Sequence, residues 1–192
     1  MLQQSGNIQY IAKDLRIHEK LLNSCSWSGD GKYLGACFTD RLVKICQLES
    51  SGTVRAIQTI PCGHSVKRLV WNPADNQRFA IAGSDKCIEM WDVRAPRAAS
   101  KIPSAYENVD ISWSPNGAYI VTGTYSNQLC VYDVRGTKLL KKAHLLYEVS
   151  GESRRTVIQC ESSHSKGLCS VSMHGMKRAS TNRKIIAKAS VN

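Results

Sequence analysis

The sequence predicts an all-β protein in which a unit of four short strands is repeated about three times. Three tryptophans stand at the same point of the repeated pattern: Trp27, Trp71 and Trp113 are separated by 44 and 42 residues. Each ends a short apolar run and is followed by a turn rich in Gly, Pro, Asn, Asp or Ser, which are the residues that tight turns favour. A fixed period of this length indicates a repeat architecture, in which neighbouring units bury each other's apolar faces.

The segments within each unit follow the same order. The second strand comes after the turn and reads KYLGACF, RFAIAG or AYIVTG, and the third strand reads RLVKICQL, KCIEMWDV or QLCVYDV. Runs such as TVRAIQTI and AASKIP supply a fourth strand. Four short antiparallel strands in about 40–45 residues are typical of one blade of a β-propeller.

The second unit carries the clearest motifs. It begins with Gly63–His64 and has Trp91–Asp92 in its third strand, and in these dipeptides and their spacing it resembles the WD-repeat family. That resemblance implies a buried polar network that joins the loop histidine His64, the turn aspartate Asp85 and the strand tryptophan Trp91. We expect these residues to stabilise the blade.

The other two units depart from the WD pattern. The first has Asp40 in its turn but Cys46 where the family has Trp, and the third has Tyr132–Asp133 in place of Trp-Asp and Ser126 in place of the turn Asp. We expect Asp40 and Asp133 to serve the blade structure in the same way as their counterparts in the second unit.

A catalytic interpretation of His64 and Asp85 is not favoured. We expect no nucleophile to be positioned beside them, and the resemblance implies a structural role for the pair. The Ser or Thr that usually completes the network is expected near Ile81–Gly83, where this chain has neither. We therefore predict no catalytic residues.

The repeat predicts the division of the chain. We expect an N-terminal edge segment at 1–20, three blades at about 21–60, 61–104 and 105–136, and a tail at 137–192. Closed propellers have about four to eight blades. Three blades therefore predict an incomplete propeller, of the kind that truncation of a longer propeller would produce.

The composition changes where the repeat ends. Residues 137–192 contain no Trp, Phe or Pro, and they hold 11 of the 26 Lys and Arg residues but three of the 15 acidic ones. Such a Ser-rich, basic composition buries little apolar surface, so we predict a disordered tail. Most of the formal net charge of +11 is located there.

Two short basic clusters in the tail are candidates for a nuclear-import signal or for phosphate contacts. They are Lys177–Arg178 and Arg183–Lys184. Because the clusters are short and separated, we favour the interpretation that they belong to a solvated basic tail.

Two further tail patterns carry weaker hypotheses. Thr156 and Ser180 follow paired basic residues and are candidate phosphorylation sites. A group of alternating thiol and imidazole side chains has donors suited to zinc, but its spacing matches no common zinc finger, so we predict no metal: Cys160, His164, Cys169 and His174.

The bulk composition is that of a soluble folded protein, with 42% hydrophobic and 21% charged residues. No apolar run is long enough to span a membrane, and the first residues lack the apolar core of a signal peptide. We therefore expect that the protein is not secreted and does not span a membrane. We also expect it to lie in a reducing compartment, where its cysteines remain free thiols. Five of the eight cysteines lie in strand-like runs: Cys25, Cys37, Cys46, Cys87 and Cys130.

The motifs of common enzymes are missing from the sequence. It has no Gly-rich phosphate loop, no paired-carboxylate motif and no nucleophile elbow. We predict a non-catalytic protein that needs no cofactor and acts on no small-molecule substrate.

A more specific resemblance lies in the order of the repeats. The stretch GHSVKRLVWNPADNQRFAIAGSDKCIEMWDVR, followed by IPSAYENVDISWSPNGAYIVTG, is similar to the WD-repeat subunits of THO complexes, and so is SWSGDGKYLGACFTDRLVKICQLE in the first unit. This resemblance implies a scaffold in the nucleus, packed among other THO proteins of the larger TREX assembly. Such a scaffold would serve mRNA processing and export and contact RNA indirectly.

Two alternatives remain open at this stage. The first alternative to the THO-like scaffold is a WD-repeat adaptor of another nuclear complex. The second is a non-specific RNA-binding protein that acts through residues 137–192, whose affinity would fall steeply with salt. A scaffold would instead bind protein through residues 1–136.

Overall fold

The computed structural model describes residues 17–50 and 52–144, together with the backbone of three further strands at 156–162, 169–175 and 185–187. Every regular element in these residues is a β-strand. The described part of the chain accordingly holds no helix of the length and apolarity needed to span a membrane.

Three four-stranded antiparallel sheets follow one another along the chain, which confirms the predicted all-β repeat. In each sheet, strands that are consecutive in sequence are neighbours in space. Blade 1 consists of β1 (Leu22–Trp27), β2 (Tyr33–Phe38), β3 (Leu42–Leu48) and β4 (Val54–Pro61). Blade 2 consists of β5 (Val66–Asn72), β6 (Asp75–Gly83), β7 (Cys87–Asp92) and β8 (Ser100–Pro103). Blade 3 consists of β9 (Asn108–Trp113), β10 (Tyr119–Thr124), β11 (Gln128–Asp133) and β12 (Lys138–His144).

The third blade extends beyond its expected boundary at residue 136, because β12 pairs with β11. A fourth, three-stranded sheet consists of β13 (Thr156–Ser162), β14 (Cys169–Gly175) and β15 (Ile185–Ala187), and β13 lies against β9 and β10. These four segments are strands where the tail composition predicted disorder. Average composition does not reveal short runs such as TVIQC and CSVSM, in which β-branched residues alternate with other types. The tail residues between the strands lie outside the described residues.

The N-terminal edge segment was expected at 1–20. Residues 1–16 of it lie outside the described residues, and residues 17–20 belong to no strand. The predicted edge strand therefore stays a prediction.

The first strand of each blade is its inner strand, since β1 lies against β5 and β5 against β9. All three inner strands have an irregularity at the same place, where one residue is left unpaired between two ladder positions. The unpaired residues are Asn23, Lys67 and Val109, each four residues before the tryptophan of its blade. A bulge at a repeated position turns the strand in the same way in each blade.

Two apolar clusters form the core, one between each pair of neighbouring blades. The first lies between blades 1 and 2, where the Trp71 ring packs on Phe79, with ring centroids 5.2 Å apart, and stacks on Tyr33 at 5.8 Å. Gly35 allows this close approach, because a Cβ atom there would lie 2.5 Å from a methyl group of Leu69. The second cluster joins Met90 and other residues of blade 2 to blade 3.

Candidate docking face

The turns and linkers at one end of the three blades share one backbone geometry. In each blade, the residue before the turn aspartate or its replacement donates its backbone N–H to a carbonyl of the linker that leads into the first strand of that blade. These bonds are Thr39 to Leu21 at 2.9 Å, Ser84 to Ser65 at 3.1 Å and Tyr125 to Glu107 at 3.1 Å. We call this end, formed by residues 17–21, 39–41, 62–65, 84–86, 104–107 and 125–127, the loop face.

The turns of blades 1 and 2 also hold the linker to the next blade. The carbonyl of Arg41 accepts the N–H of Cys62 at 2.8 Å, and the carbonyl of Lys86 accepts the N–H of Ser104 at 2.7 Å. Arg41 and Lys86 both have positive φ, at 69° and 56°. This left-handed backbone turns the carbonyl toward the next blade and leaves the charged side chain exposed.

His64 and Asp85 meet on the loop face, as the sequence predicted. Their side chains are about 85% buried, and His64 Nδ1 lies 3.4 Å from Asp85 Oδ2. Ser84, one residue after the expected position, does not complete the network. Its Oγ accepts the N–H of Ser65 at 3.2 Å, and His64 Nε2 is buried without a hydrogen-bond partner in the described part of the chain.

Trp91 has a different partner from the expected one. Its indole N–H donates to Glu89 Oε2 at 3.1 Å, on the same strand. The other oxygen of Glu89 lies 2.5 Å from Lys101 Nζ, and the two residues are directly opposite in the β7–β8 register. The hydrogen bond to Glu89 raises the pKa of Lys101. Glu89 is buried and was not found from the sequence, because its importance depends on this register.

His64, Asp85 and Glu89 have ligand atoms within 4.8 Å of one another, a spacing that suits a metal ion. Both oxygens of Glu89 already have partners in Lys101 and Trp91. A metal would have to displace these contacts. The contacts of Glu89 with Lys101 and Trp91, and of His64 with Asp85, therefore account for the position of these side chains without a metal ion.

Blade 1 contains a histidine–aspartate pair that the sequence analysis missed. His18 Nε2 lies 2.6 Å from Asp40 Oδ2, and the imidazole packs edge-on against Phe38 with ring centroids 4.5 Å apart. Burial alone would raise the pKa of Asp40, but the hydrogen bonds from His18 and the Leu42 N–H lower it below its usual value. His18 follows Ile17 where His64 follows Gly63, so no Gly-His dipeptide marks it.

Blade 3 uses neutral groups at the equivalent position. Ser126 replaces the turn aspartate, and the Tyr132 hydroxyl donates to Ser104 Oγ at 3.1 Å. Ser104 in turn donates to the side-chain carbonyl of Asn108 at 3.2 Å. Burial raises the pKa of Tyr132, so its hydroxyl stays protonated and available as a donor.

The other predicted structural residues lie outside these networks. Asp92 accepts two bonds from the Arg94 guanidinium, at 2.8 and 2.6 Å, and Asp133 accepts the Arg135 N–H at 3.1 Å. Both aspartates therefore stabilise the turn that follows the third strand. A Cβ atom at Gly63 would meet nothing within 4 Å, so the structure does not require glycine there.

At the opposite end from the loop face, the inner-strand tryptophans connect the blades. The Trp71 indole N–H donates to the carbonyl of Ser26 at 2.8 Å, and the Trp113 indole N–H donates to the carbonyl of Val70 at 3.3 Å. In both bonds the acceptor is the residue before the tryptophan of the preceding blade. A cavity of about 320 Å³ lies beside these bonds, and its lining includes the tryptophans of all three blades.

The predicted tail sites cannot be placed in the same detail. Lys177, Arg178, Arg183 and Lys184 lie outside the described residues, as do His164 and Ser180. Thr156, Cys160, Cys169 and His174 lie on β13 or β14, where the backbone alone is described. The basic, zinc and phosphorylation hypotheses remain predictions.

Comparison with known families identifies the repeat. The model described as WD domain, G-beta repeat matches residues 10–47, 54–92 and 102–133. The chain belongs to the WD40 family. Each match covers the first three strands of one blade, and the second match also includes β4, the fourth strand of blade 1. The first match includes the His18–Asp40 pair. The predicted WD-repeat propeller is thus confirmed, with three WD blades that form part of a propeller ring.

Several known WD40 proteins resemble the chain over most of its length. THO complex subunit 3 of Arabidopsis thaliana is 28% identical over 141 residues, which are 72% of this chain and 45% of that protein. WD repeat-containing protein AAC3 of Dictyostelium discoideum is 27% identical over 164 residues, or 76% of this chain and 34% of that protein. The chain spans less than half the length of these relatives.

Proposed function

We propose that this WD40 chain is a non-catalytic scaffold subunit of a THO/TREX-like nuclear assembly that couples transcription and mRNA processing to mRNA export. The similarity to THO complex subunit 3 over 72% of the chain carries the proposal. Its partners are the other protein subunits of that assembly, and its contact with RNA is indirect. Its location is the nucleus.

The loop face supports a role in binding proteins. Its backbone is fixed by repeated hydrogen bonds. It exposes Leu21 and Tyr125 beside three basic side chains and one acidic side chain: Lys20, Arg41, Lys86 and Glu19. Binding to a surface whose loops are already ordered costs less conformational entropy than binding to loops that must first be fixed. This surface therefore suits a protein partner with acidic groups around an apolar contact.

The chemistry of the loop face argues against catalysis. The Cys87 thiol donates to Asp85 Oδ2 at 2.5 Å, so the expectation that no nucleophile lies beside the His64–Asp85 pair was wrong. Burial, together with that carboxylate, raises the pKa of Cys87 to about 12. A thiol with this pKa is protonated at neutral pH and is a poor nucleophile.

The proposal is tested with THO proteins purified and assembled without subunit 3. The full chain is added, and binding is measured by interferometry and by co-elution on a sizing column. We expect binding that a double charge reversal on the loop face, Arg41→Glu with Lys86→Glu, weakens at least tenfold. Lys32→Glu is the matched control, because Lys32 is exposed in the turn at the other end of blade 1.

Two results would contradict the proposal. One is the absence of binding by a folded full chain to the assembled THO proteins. The other is an equal loss of affinity in the loop-face variant and the Lys32 control, which would mean that the loop face is not the contact.

A second candidate function rests on the charge of the chain. The net charge is +11, and β12 exposes Lys138 and Lys142 on the outer edge of blade 3. Direct RNA binding through this basic region predicts an affinity for single-stranded RNA that falls steeply between low and physiological salt. Direct RNA binding would be excluded by two results together. The chain would bind THO proteins with a weak dependence on salt, and it would have negligible affinity for RNA at 150 mM salt (roughly physiological).

A further inference from the structure

Trp27 differs from the other tryptophans of the inner strands. It is 47% exposed, whereas Trp71 and Trp113 are 6% and 5% exposed. The indole N–H groups of Trp71 and Trp113 each donate to a backbone carbonyl of the preceding blade. No blade precedes Trp27 in the described part of the chain, and its indole N–H has no acceptor there.

The surface around Trp27 is apolar and carries no charge on its strand. Cys25 lies on the same face of β1, because side chains alternate along a strand, and it is exposed. Leu22 is 50% exposed at the start of the same strand. We call Trp27, Cys25 and Leu22 the open face of blade 1. Contiguous exposed apolar residues of this kind usually mark an interaction site.

The open face continues an interface that the chain already forms twice. The opposite side of β1 and β2 packs on blade 2, where Leu69 fits against Gly35. Trp27 also lines the cavity that Trp71 and Trp113 share. The open face is therefore equivalent to the faces that blades 2 and 3 use to contact the blade before them.

We propose that the open face binds a second copy of this chain, whose terminal sheet supplies the backbone carbonyl that the Trp27 indole lacks. Contacts between blades are always made by two unlike faces, so a contact between copies that continues the series is head to tail. Head-to-tail contacts close into a ring when the rotation permits. The described residues of each copy form three four-stranded sheets and one three-stranded sheet. Two copies would contribute eight sheets, which is within the range of about four to eight for closed propellers.

The charge of the chain gives this association a distinctive salt dependence. Two copies of net charge +11 repel each other, while the open face itself is uncharged. Added salt screens the repulsion and leaves the apolar contact intact. Self-association therefore strengthens with salt, whereas binding of RNA to the same chain weakens.

Sedimentation equilibrium of the full chain between micromolar and submillimolar concentration tests the proposal. We expect a reversible dimer whose dissociation constant rises about five- to tenfold in Trp27→Phe, since this change removes one hydrogen bond and keeps an aromatic ring. Trp27→Asp should abolish the dimer. Tyr125→Phe is the matched control, because it removes one donor from a 49% exposed aromatic residue on the loop face.

Tryptophan fluorescence provides an independent measurement. The chain has four tryptophans, and Trp71, Trp91 and Trp113 are buried. Dilution should therefore expose Trp27 alone, with a red shift and faster quenching by acrylamide that are missing in Trp27→Phe. Because the experiment uses only the purified chain, its outcome is independent of whether the chain binds THO proteins.

Three results would overturn the proposal. A monomer over the whole concentration range excludes the dimer. A dimer that Trp27→Phe and Tyr125→Phe affect equally places the contact elsewhere. Protection of Trp27 from acrylamide in a monomer would mean that another segment of the same chain covers the open face.

Discussion

The indole N–H of Trp71 donates to the backbone carbonyl of Ser26 across the interface between blades 1 and 2, at 2.8 Å. This bond is made between blades, whereas the Trp91 indole bonds to Glu89 on its own strand. Trp71→Phe should destabilise the protein by about 1–3 kcal/mol, because it removes the bond and part of the buried ring. Urea unfolding followed by circular dichroism measures the loss.

The Trp71 variant should also loosen blade 1 specifically. Limited proteolysis is then expected to cut within residues 39–53 before it cuts blade 3. Trp91→Phe is the control, since it removes an indole bond within one blade. Equal cleavage of blade 1 in both variants would mean that the Ser26 contact does not join the blades.

Two glycines of blade 2 should respond oppositely to the same change. A Cβ atom at Gly83 would collide with the backbone carbonyl of Ser65, which is itself held by the Ser84 N–H. Gly83→Ala should therefore cost several kcal/mol, on the order of 3 or more, because backbone and not a flexible side chain must move. Gly63→Ala has open space around its Cβ and should change stability by less than about 0.5 kcal/mol.

Thermal and urea unfolding of the two alanine variants shows whether local packing or the Gly-His pattern of the family determines where glycine is required. If Gly63→Ala were as damaging as Gly83→Ala, the glycine of the Gly-His dipeptide would have a role that the packing does not explain.

The Asp92–Arg94 pair predicts a pH dependence. The Arg94 guanidinium lowers the pKa of Asp92 from 3.8 to about 2. Since the folded-state pKa lies below the unfolded value, the pair stabilises the fold above about pH 4, and this stability is lost as the pH falls toward 2. Asp92→Asn should cost less than about 1 kcal/mol at pH 7, because Arg94 is exposed.

Asp133→Asn is the matched control for that pair, since Asp133 begins the same Asp-Val-Arg sequence and accepts a backbone N–H of Arg135. The stability difference between wild type and Asp92→Asn should shrink between pH 4 and pH 2. A difference that stays constant over this range would show that the guanidinium does not stabilise the carboxylate.

The thiols of blade 1 should differ in reactivity. Cys25 is exposed, whereas Cys37 is buried and its pKa is raised to about 11 by burial. At pH 8, and at a protein concentration too low for self-association, iodoacetamide should therefore label Cys25 in the native protein and Cys37 after unfolding, because the thiolate is the reactive form. Peptide mass spectrometry assigns each label, and Cys25→Ser is the control. Native labelling of Cys37 at a similar rate would mean that the interface between blades 1 and 2 opens.

The fold was predictable because its signal is local and repeated. Trp27, Trp71 and Trp113 each end an inner strand, and the turns after them contain Gly31 and Gly117 with positive φ. β12 was not predictable, since KLLKKAH has no regular alternation and forms a strand by pairing with β11. Its structure depends on an edge that other residues create.

The polar networks were predictable only in part. His64 and Asp85 were found through their motif. His18 and Asp40 are separated by 22 residues, close to the 21 between His64 and Asp85, so spacing would have revealed them where the dipeptide did not. Glu89 could not be inferred, because its contact with Lys101 depends on the register of two strands.

The left-handed turn residues have a consequence for the way in which stability is distributed. The carbonyls of Arg41 and Lys86 each hold the linker that leads into the following blade. The blades therefore behave as a linear array with nearest-neighbour coupling, in which a unit with two neighbours is more stable than a unit at an end. Native-state hydrogen exchange should then be slowest in β6 and β7 of blade 2, and opening should begin at blade 1 and spread inward.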